Sequence, residues 1–578
     1  MNQRKEKRER LLLSLFASCL LAVKLILMKD VKIQAITSAQ ADDELMVHLA
    51  EQLLQGKWLG DYNQFTLVKG CFFPIFLALG NLLRIDYISL VQICYAMACF
   101  CFVEAIRPMF KWKWVSCLFF LLLFFHPIMA TNDVVQRVYR NSLTPIQVLF
   151  VLGGYIGAYN SSGRKQSLMK WMLIASIGLA TMWLSREDGM WMFPFALIAG
   201  ICILYRFRKR RSVREWLRNM LIIAMPFICV ILAVQAVSLV NRVKYKINTD
   251  NEINNSAFTD AMKSLYEIDM GDEAIPYVSI SREKIELVYG ISPAMAGIQD
   301  MLDPLLDAWS QNVGREETNK EKKEVENGWF FWVFRDAAAA TGYYVNGESA
   351  NDFYRRVADE IQAAFRDGTL NRQNTMPSAL MAPWRSGMLP ELMRTMGEAA
   401  EFVTSCDKLG LRSIKAVDDG QGGIERFEQM TGRMAETEKM GFEESEEEPE
   451  NRIMNRITSV WQNVSPIAAW IGRGCFLLLF LLFLGKKTAE REEAVLLITA
   501  GIAGSLICLY GGVSYNELSS CSSITELYLC GAYPIASACS LLAILGVGQW
   551  WFDNFHVIRM KRTGRTEDGS DSSNNSML

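Results

Sequence analysis

The chain has 578 residues, 51% hydrophobic and 21% charged, with 60 basic and 62 acidic side chains and a net charge of −2. That balance offers nucleic acid no attracting field. Three histidines, and cysteines that mostly sit in or beside apolar runs, leave neither a zinc framework nor a disulfide scaffold. Apolar blocks fill 11–240 and 464–551, and a polar stretch lies between them. The pattern is that of a mainly α, polytopic membrane helical bundle carrying one sizeable soluble domain.

The first apolar block, Leu11–Met28, follows Arg4, Lys5, Lys7, Arg8 and Arg10 and lacks a small-residue cleavage site. It reads as a retained span with a cytoplasmic N-terminus. Cys71–Leu83, which contains Pro74, Gly80 and Asn81, reaches only roughly 20 Å as a helix and is expected to lie in the outer interface. Further spans are expected at 87–106, 114–130, 143–159, 168–184, 190–206, 219–240, 464–484, 494–512 and 527–551, about ten crossings in all. If 71–83 does not cross, the basic clusters share the cytoplasmic side. These are Arg107/Lys111/Lys113, Arg164/Lys165/Lys170, Arg206–Arg218, Lys486/Lys487/Arg491 and Arg559/Lys561/Arg562/Arg565. Both termini are then inside, and 552–578 is an expected disordered cytoplasmic tail. The membrane domain is 1–240, with a first external loop at about 29–86. Shorter external loops follow at 126–142, 185–189 and 513–526, and 241–463 forms an extracytoplasmic domain. The low disulfide potential and absent cleavable signal fit a multi-pass protein of a bacterial plasma membrane.

The soluble domain reads as mostly helical. Ser349 to Asp352 is an expected helix start, Phe353, Val357, Ile361, Ala364 and Phe365 recur at helical spacing, and Gly368 is an expected stop. The run Trp329, Phe330, Phe331, Trp332 and Phe334 reads as a core strand or membrane-facing helix in preference to an acceptor-binding patch. Glu436–Glu450, with eight acidic residues, reads as a solvated linker.

Candidate chemistry is confined to the loops. Asp42, Asp43 and Glu44 open an amphipathic segment with Leu45, Leu49, Leu53 and Leu54 on one face. Acids at a helix start are often only caps and dipole partners. Ser185, Arg186, Glu187, Asp188 and Gly189 place three charges between two short spans, where charge is costly unless it faces a cavity or another charge. Their plainest reading is a tight turn with an Arg–Asp pair. The loop after the third span holds His126, expected to be structural, and Arg137 and Arg140, which would share a face if helical. Within spans only Lys24 and Glu104 are clearly ionisable, and both are placed to snorkel.

Asp42-Asp43, then Gly56-Lys57-Trp58, then Lys69-Gly70 ahead of Pro74 resemble the GT-C type membrane glycosyltransferases, the superfamily of protein O-mannosyltransferases and aminoarabinose transferases. Cys71 stands where a proline is frequent and Met46 where an aromatic is common. The resemblance covers roughly 1–240, with an echo at Tyr528-Leu529 and Tyr533-Pro534, where Leu527 replaces a frequent arginine and no catalytic role is assigned. It implies sugar transfer from a polyprenyl phosphate or pyrophosphate to a glycan, lipid or protein acceptor at the outer membrane face. Asp42 is then the general base, and Asp43 orients the acceptor or helps hold a divalent cation, Mg or Mn. Glu187 and Asp188 form a second acidic site, with Asp42 and Asp188 as metal-ligand candidates. Lys69, Arg137, Arg140 and Arg186 face the donor phosphate. Two other readings stay open: a non-enzymatic surface protein whose external domain binds a polymer or partner, and a transporter.

Overall fold

The computed structural model describes residues 2–161, 165–207, 212–271, 275–373, 381–412, 423–435 and 449–562. The first half of the chain forms α1 (Asn2–Leu27), α2 (Asp43–Leu54), α3 (Phe72–Leu82), α4 (Tyr87–Ile106), α5 (Trp114–Phe124), α6 (Thr144–Asn160), α7 (Lys165–Trp183), α8 (Phe193–Phe207) and α9 (Val213–Tyr245). The soluble part follows with α10 (Ala257–Glu267), α11 (Arg282–Tyr289), α12 (Pro293–Ala296), α13 (Gln299–Asn312), α14 (Glu317–Glu321), α15 (Asn327–Ala340), α16 (Gly347–Arg366), α17 (Met388–Ser405) and α18 (Gly423–Thr431). The chain then returns through α19 (Pro449–Leu484), α20 (Glu490–Ser519), α21 (Glu526–Leu529) and α22 (Ala532–Arg562). Among the described residues there are isolated bridges but no strand.

Among the described residues, eight helical stretches are long and apolar enough to cross a membrane. Their outward faces are apolar, as Leu11, Leu15, Leu221, Ile231, Leu477 and Leu481 show; in water such faces would aggregate, and in lipid they are the solvated surface. The protein is a multi-pass membrane protein with a mainly helical bundle. Two expected spans are not among these eight. Residues 168–183 lie in α7, a 19-residue helix pressed against α6, where Gly154 and Gly157 leave room for Ala175 and Trp171. The 114–130 segment contracts to the 11-residue α5, because Pro127 starts a short 3₁₀ turn after it. Even so, Lys113 at its start pairs with Glu9 of α1 at 3.2 Å, and the Phe124 carbonyl at its end accepts from Lys24 of α1 at 2.5 Å. Those α1 residues stand about 22 Å apart along the helix, so α5 and its flanks cover most of the bundle's depth. Lys24 does not snorkel: it is fully buried among the rings of Tyr95, Phe124 and Phe125. Glu104 is paired instead, with Arg10 at 3.3 Å and Arg107 at 3.4 Å.

Helices α9 and α19 run to 33 and 36 residues, about 50 Å each, well beyond a hydrocarbon core of about 30 Å. Their surplus carries the soluble part above the bundle. α9 ends where Lys246 takes a left-handed conformation, and Asn241 near that end accepts from the Trp58 indole at 2.8 Å and donates to Thr249. The soluble core is built from Phe258, Phe330, Phe334, Phe353 and Tyr354, joined by Val68 of the first loop. The aromatic run 329–334 is thus part of a core helix, neither a strand nor a lipid-facing face. α16 starts earlier than Ser349, because the Asn346 side chain accepts from the Ser349 amide and caps it; Gly368 follows its end with a positive φ of 82°. Most of the acidic stretch 436–450 lies outside the described residues, as do Arg164, Arg565 and part of 206–218.

Candidate active site

Three loops converge where the bundle meets the soluble part. The first is the run into α2. Asp42 occupies the N-cap position but its side chain makes no capping bond. It reaches Lys69 at 3.0 Å and accepts from the Tyr139 hydroxyl at 2.8 Å, so the cap-only reading does not hold. Asp43 turns inward, fully buried, and receives Arg137 through Nε at 2.9 Å and Nη2 at 2.6 Å.

Arg137 is delivered by an extended segment. The Gln34 amide donates to the Gln136 carbonyl at 2.9 Å, laying 33–34 alongside 135–137. Because 137–139 is extended, Arg137 and Arg140 do not share a helix face as the spacing suggested. They part around the Tyr139 ring, 4.8 and 5.4 Å from its centre. Arg137 takes Asp43; Arg140 takes Glu187 at 2.6 Å.

The third loop, 185–188, is clamped to the first by close backbone packing. A Cβ on Gly70 would lie 2.2 Å from the Leu184 carbonyl oxygen, so only glycine fits between Lys69 and Cys71. The Gly70 amide donates to Glu187 at 3.2 Å and the Phe72 amide to Leu184 at 3.0 Å. Arg186 pairs with Asp188 at 2.6 Å and donates to Asn141 at 2.8 Å. Asn141 in turn donates to the Leu527 carbonyl at 2.7 Å, which brings α21 to the site.

All eight singled-out side chains therefore lie together, four carboxylates and four cations in three ion-paired groups that Tyr139 and the backbone of Ser185 link. They are unequal. Asp43, Glu187, Arg140 and Arg186 are sealed, whereas Asp42 and Asp188 keep 40% and 47% of their side chains open. Asp43 is thus too enclosed to orient an acceptor by contact; it positions Arg137. Glu187 is likewise enclosed by Arg140, Gly70 and Asn251. Burial would raise the Asp42 pKa, but Lys69, Tyr139 and Arg137 override it and hold the carboxylate well below its usual range. Burial also works against the Lys69 charge, and Asp42 more than restores it. For Asp43 burial prevails over the bonds from Arg137 and pushes the carboxyl up to about 6.

The donor set does not fit a divalent cation as arranged. Asp42 already holds Lys69, Asp188 already holds Arg186, and among the described residues no three His, Cys, Asp or Glu side chains converge.

Four participants carry no site role in the sequence reading. Tyr139 and Asn141 sit beside the arginines that were singled out, but nothing local distinguishes them. Trp332 of α15 places its ring 5.4 Å from the Lys69 ammonium, so the soluble part contributes to the site. Tyr528 lies within electrostatic reach of Lys69, Tyr139 and Arg186. His126 is structural, as expected: buried, accepting from the Ile128 amide and lying against Trp461.

No family model and no curated protein matches the chain. Among solved structures, the archaeal oligosaccharyltransferase AglB from Archaeoglobus fulgidus, in complex with an inhibitory peptide and a dolichol-phosphate, is similar at a TM-score of 0.37 and 13% identity, over 99% of this chain and 53% of that one. The apo form of the Archaeoglobus fulgidus oligosaccharyltransferase gives 0.36 and 13%, over 96% and 51%. ArnT from Cupriavidus metallidurans bound to undecaprenyl phosphate gives 0.29 and 10%, over 87% and 77%. The chain spans about half the length of the archaeal enzyme. Overlaps this loose carry no chemistry from those proteins to this one.

Proposed function

We propose that the protein is a membrane glycosyltransferase that moves a sugar from a polyprenyl-phosphate or -pyrophosphate donor to an acceptor hydroxyl, with Asp42 as general base. The observation that carries this reading is the half-open Asp42 carboxylate set directly against Lys69, at the end of the helical bundle where it meets the soluble part. A lipid-borne anion would arrive at that depth, and an acceptor would arrive from the aqueous side.

In the resting site Lys69 and Asp42 neutralise each other, which keeps Asp42 a weak base. An incoming donor phosphate competes for Lys69 and Arg137. As these cations turn to the phosphate, Asp42 loses its stabilising partner and its basicity recovers. The acceptor attacks the anomeric carbon from the face opposite the phosphate. Its proton passes to Asp42, the new glycosidic bond forms, and the bond between the anomeric carbon and the phosphate oxygen breaks. The electron pair leaves with the polyprenyl phosphate, whose added charge Lys69 and Arg137 stabilise, and the configuration inverts. Asp43 holds Arg137 in place, and Arg140 with Glu187 fixes the loop behind Gly70. The bundle end bearing this site is read as the outer face, on the charge distribution of the opposite loops.

The test is sugar transfer, or donor hydrolysis, from a panel of radiolabelled polyprenyl-phosphate sugars by the purified protein in detergent, with Asp42→Asn beside wild type. Transfer that falls by about 10²–10⁴-fold in a well-folded Asp42→Asn protein supports the assignment. Equal activity in both would move the base elsewhere. No transfer together with no binding of any donor would remove the transferase reading.

A further inference from the structure

Residues 423–435 belong by sequence to the large soluble region, yet they dock on the first loop. Arg426 on α18 lies between two glutamates of α2. It donates through Nη1 to Glu44 at 2.6 Å, and through Nη2 and Nε to Glu51 at 2.6 and 3.1 Å. Glu44 and Glu51 are two turns apart on one helix face, so a single guanidinium bridges about 10 Å of α2, beginning at the turn that carries Asp42 and Asp43.

The rest of the segment holds the other side of the same pair. Arg433 donates to Asp86 at 2.5 Å and to the Met28 carbonyl at 3.0 Å, where α1 ends. The Ile33 amide donates to the Met434 carbonyl at 3.0 Å, and Ile33 bridges Ala435. Ile33 leads directly into Gln34, which aligns Gln136 and so delivers Arg137. Between them, the Asn81 side chain donates to the Gln429 carbonyl at 2.9 Å and ties the segment to α3. Both members of the buried Asp43–Arg137 pair thus lean on 423–435: Asp43 through α2, Arg137 through 33–34.

We infer that this segment is a brace for the active site and that Arg426 is a positioning residue of the transfer reaction. The inference rests on the transferase reading for its kinetic consequence, but not for its structural one. An ordinary exposed ion pair would contribute little and would leave the site unmoved. A bridge over two turns fixes the direction of α2, and a shift of Asp42 by about 1 Å is enough to cost on the order of 10²-fold in rate.

The experiment compares wild type, Arg426→Ala, Arg426→Lys and Glu51→Gln as full-length protein in detergent. Backbone hydrogen exchange is read over 43–50, and kcat and KM are read for transfer. The brace predicts that Arg426→Ala speeds exchange over 43–50 several-fold, with the membrane helices unchanged. It also predicts that kcat falls about 10- to 100-fold while KM for the donor moves less than about threefold. Lysine restores only part of the rate, because one ammonium cannot fork across two carboxylates. Glu51→Gln, which keeps Arg426 and one full partner, gives an intermediate effect and stands in if the alanine protein fails to fold. Unchanged exchange over 43–50 in the alanine variant, or in Glu51→Gln if that variant does not fold, overturns the brace. So does full rescue by lysine, or exchange that rises equally across the whole bundle. If wild type shows no transfer, the exchange result still decides the brace, and only the transferase reading is lost.

Discussion

The Arg335–Glu252 and Lys69–Asp42 pairs both hold the first loop, the former from the soluble part through Gln64 and Tyr62 and the latter within the loop itself, and they differ in how much of the carboxylate meets solvent. Arg335 is fully buried. It binds Glu252 at 2.5 Å and the Gln64 carbonyl at 3.0 Å, while the Tyr62 hydroxyl closes the other side of Glu252. Nothing can replace a partner there without first opening the domain. Lys69 belongs to that loop and pairs with a carboxylate left 40% open. Two ion pairs of similar composition thus do different work, one as a structural fastening and one as a site whose partners can be exchanged for a ligand.

Substitution separates the two. Lys69→Ala is expected to reduce transfer by about 10²–10³-fold with little change in unfolding temperature, because it removes a cation from the developing phosphate charge. Arg335→Ala is expected to do the reverse. It leaves Glu252 buried and unpaired, so it costs about 3–5 kcal/mol of stability, read by thermal unfolding, while the fraction that remains folded keeps near-normal kcat. If the two variants behave alike, the comparison fails.

Acidity sharpens it further. Asp43 is pushed up to about 6, so its protonation below that pH weakens its hold on Arg137. Transfer should decline toward acid by about tenfold per pH unit below 6, and Asp43→Asn should lose that limb while starting from a lower rate. Stability moves with opposite signs for the two neighbours. The raised Asp43 group favours the folded state below its unfolded value of about 4 and loses that contribution as pH rises through about 6. The lowered Asp42 group contributes above its unfolded value and loses that contribution as pH falls through its folded one. The smallest effect is expected from chelation. With Asp42 and Asp188 each already holding a protein cation, EDTA should leave the rate unchanged, and a loss restored by Mg or Mn would return the metal to the site.

What the sequence reveals follows from how local each signal is. The spans are legible because lipid imposes length and apolarity on every residue within them. The acid pair and Lys69-Gly70 are legible as a pattern, although the reason for the glycine, a neighbouring carbonyl, lies more than 100 residues away. The geometry that sorts the eight charges into sealed and open members is not legible. Tyr139, Trp332 and Tyr528 reach Asp42 and Lys69 only after folding. α18 was missed for the same reason. It is a nine-residue helix in a polar region, and its link from Arg426 to Glu44 spans 382 positions. The short α5 and the extended 137–139 run show the complementary failure: periodicity allowed a longer helix, and a proline and a tertiary pairing ended it.

Lys24 bears on how the protein is made. An amine within a first apolar helix opposes its release into lipid, by up to about 3 kcal/mol at the helix centre and less for Lys24 in the last turn, until a partner is found. The partner here, the Phe124 carbonyl, is synthesised 100 residues later. α1 on its own is therefore an incomplete membrane segment, and its settled position depends on α4 and α5 arriving beside it with Tyr95, Phe124 and Phe125. Insertion of α1, α4 and α5 becomes one cooperative event, and the end of α1 that leads into Asp42 is fixed only when that event is complete.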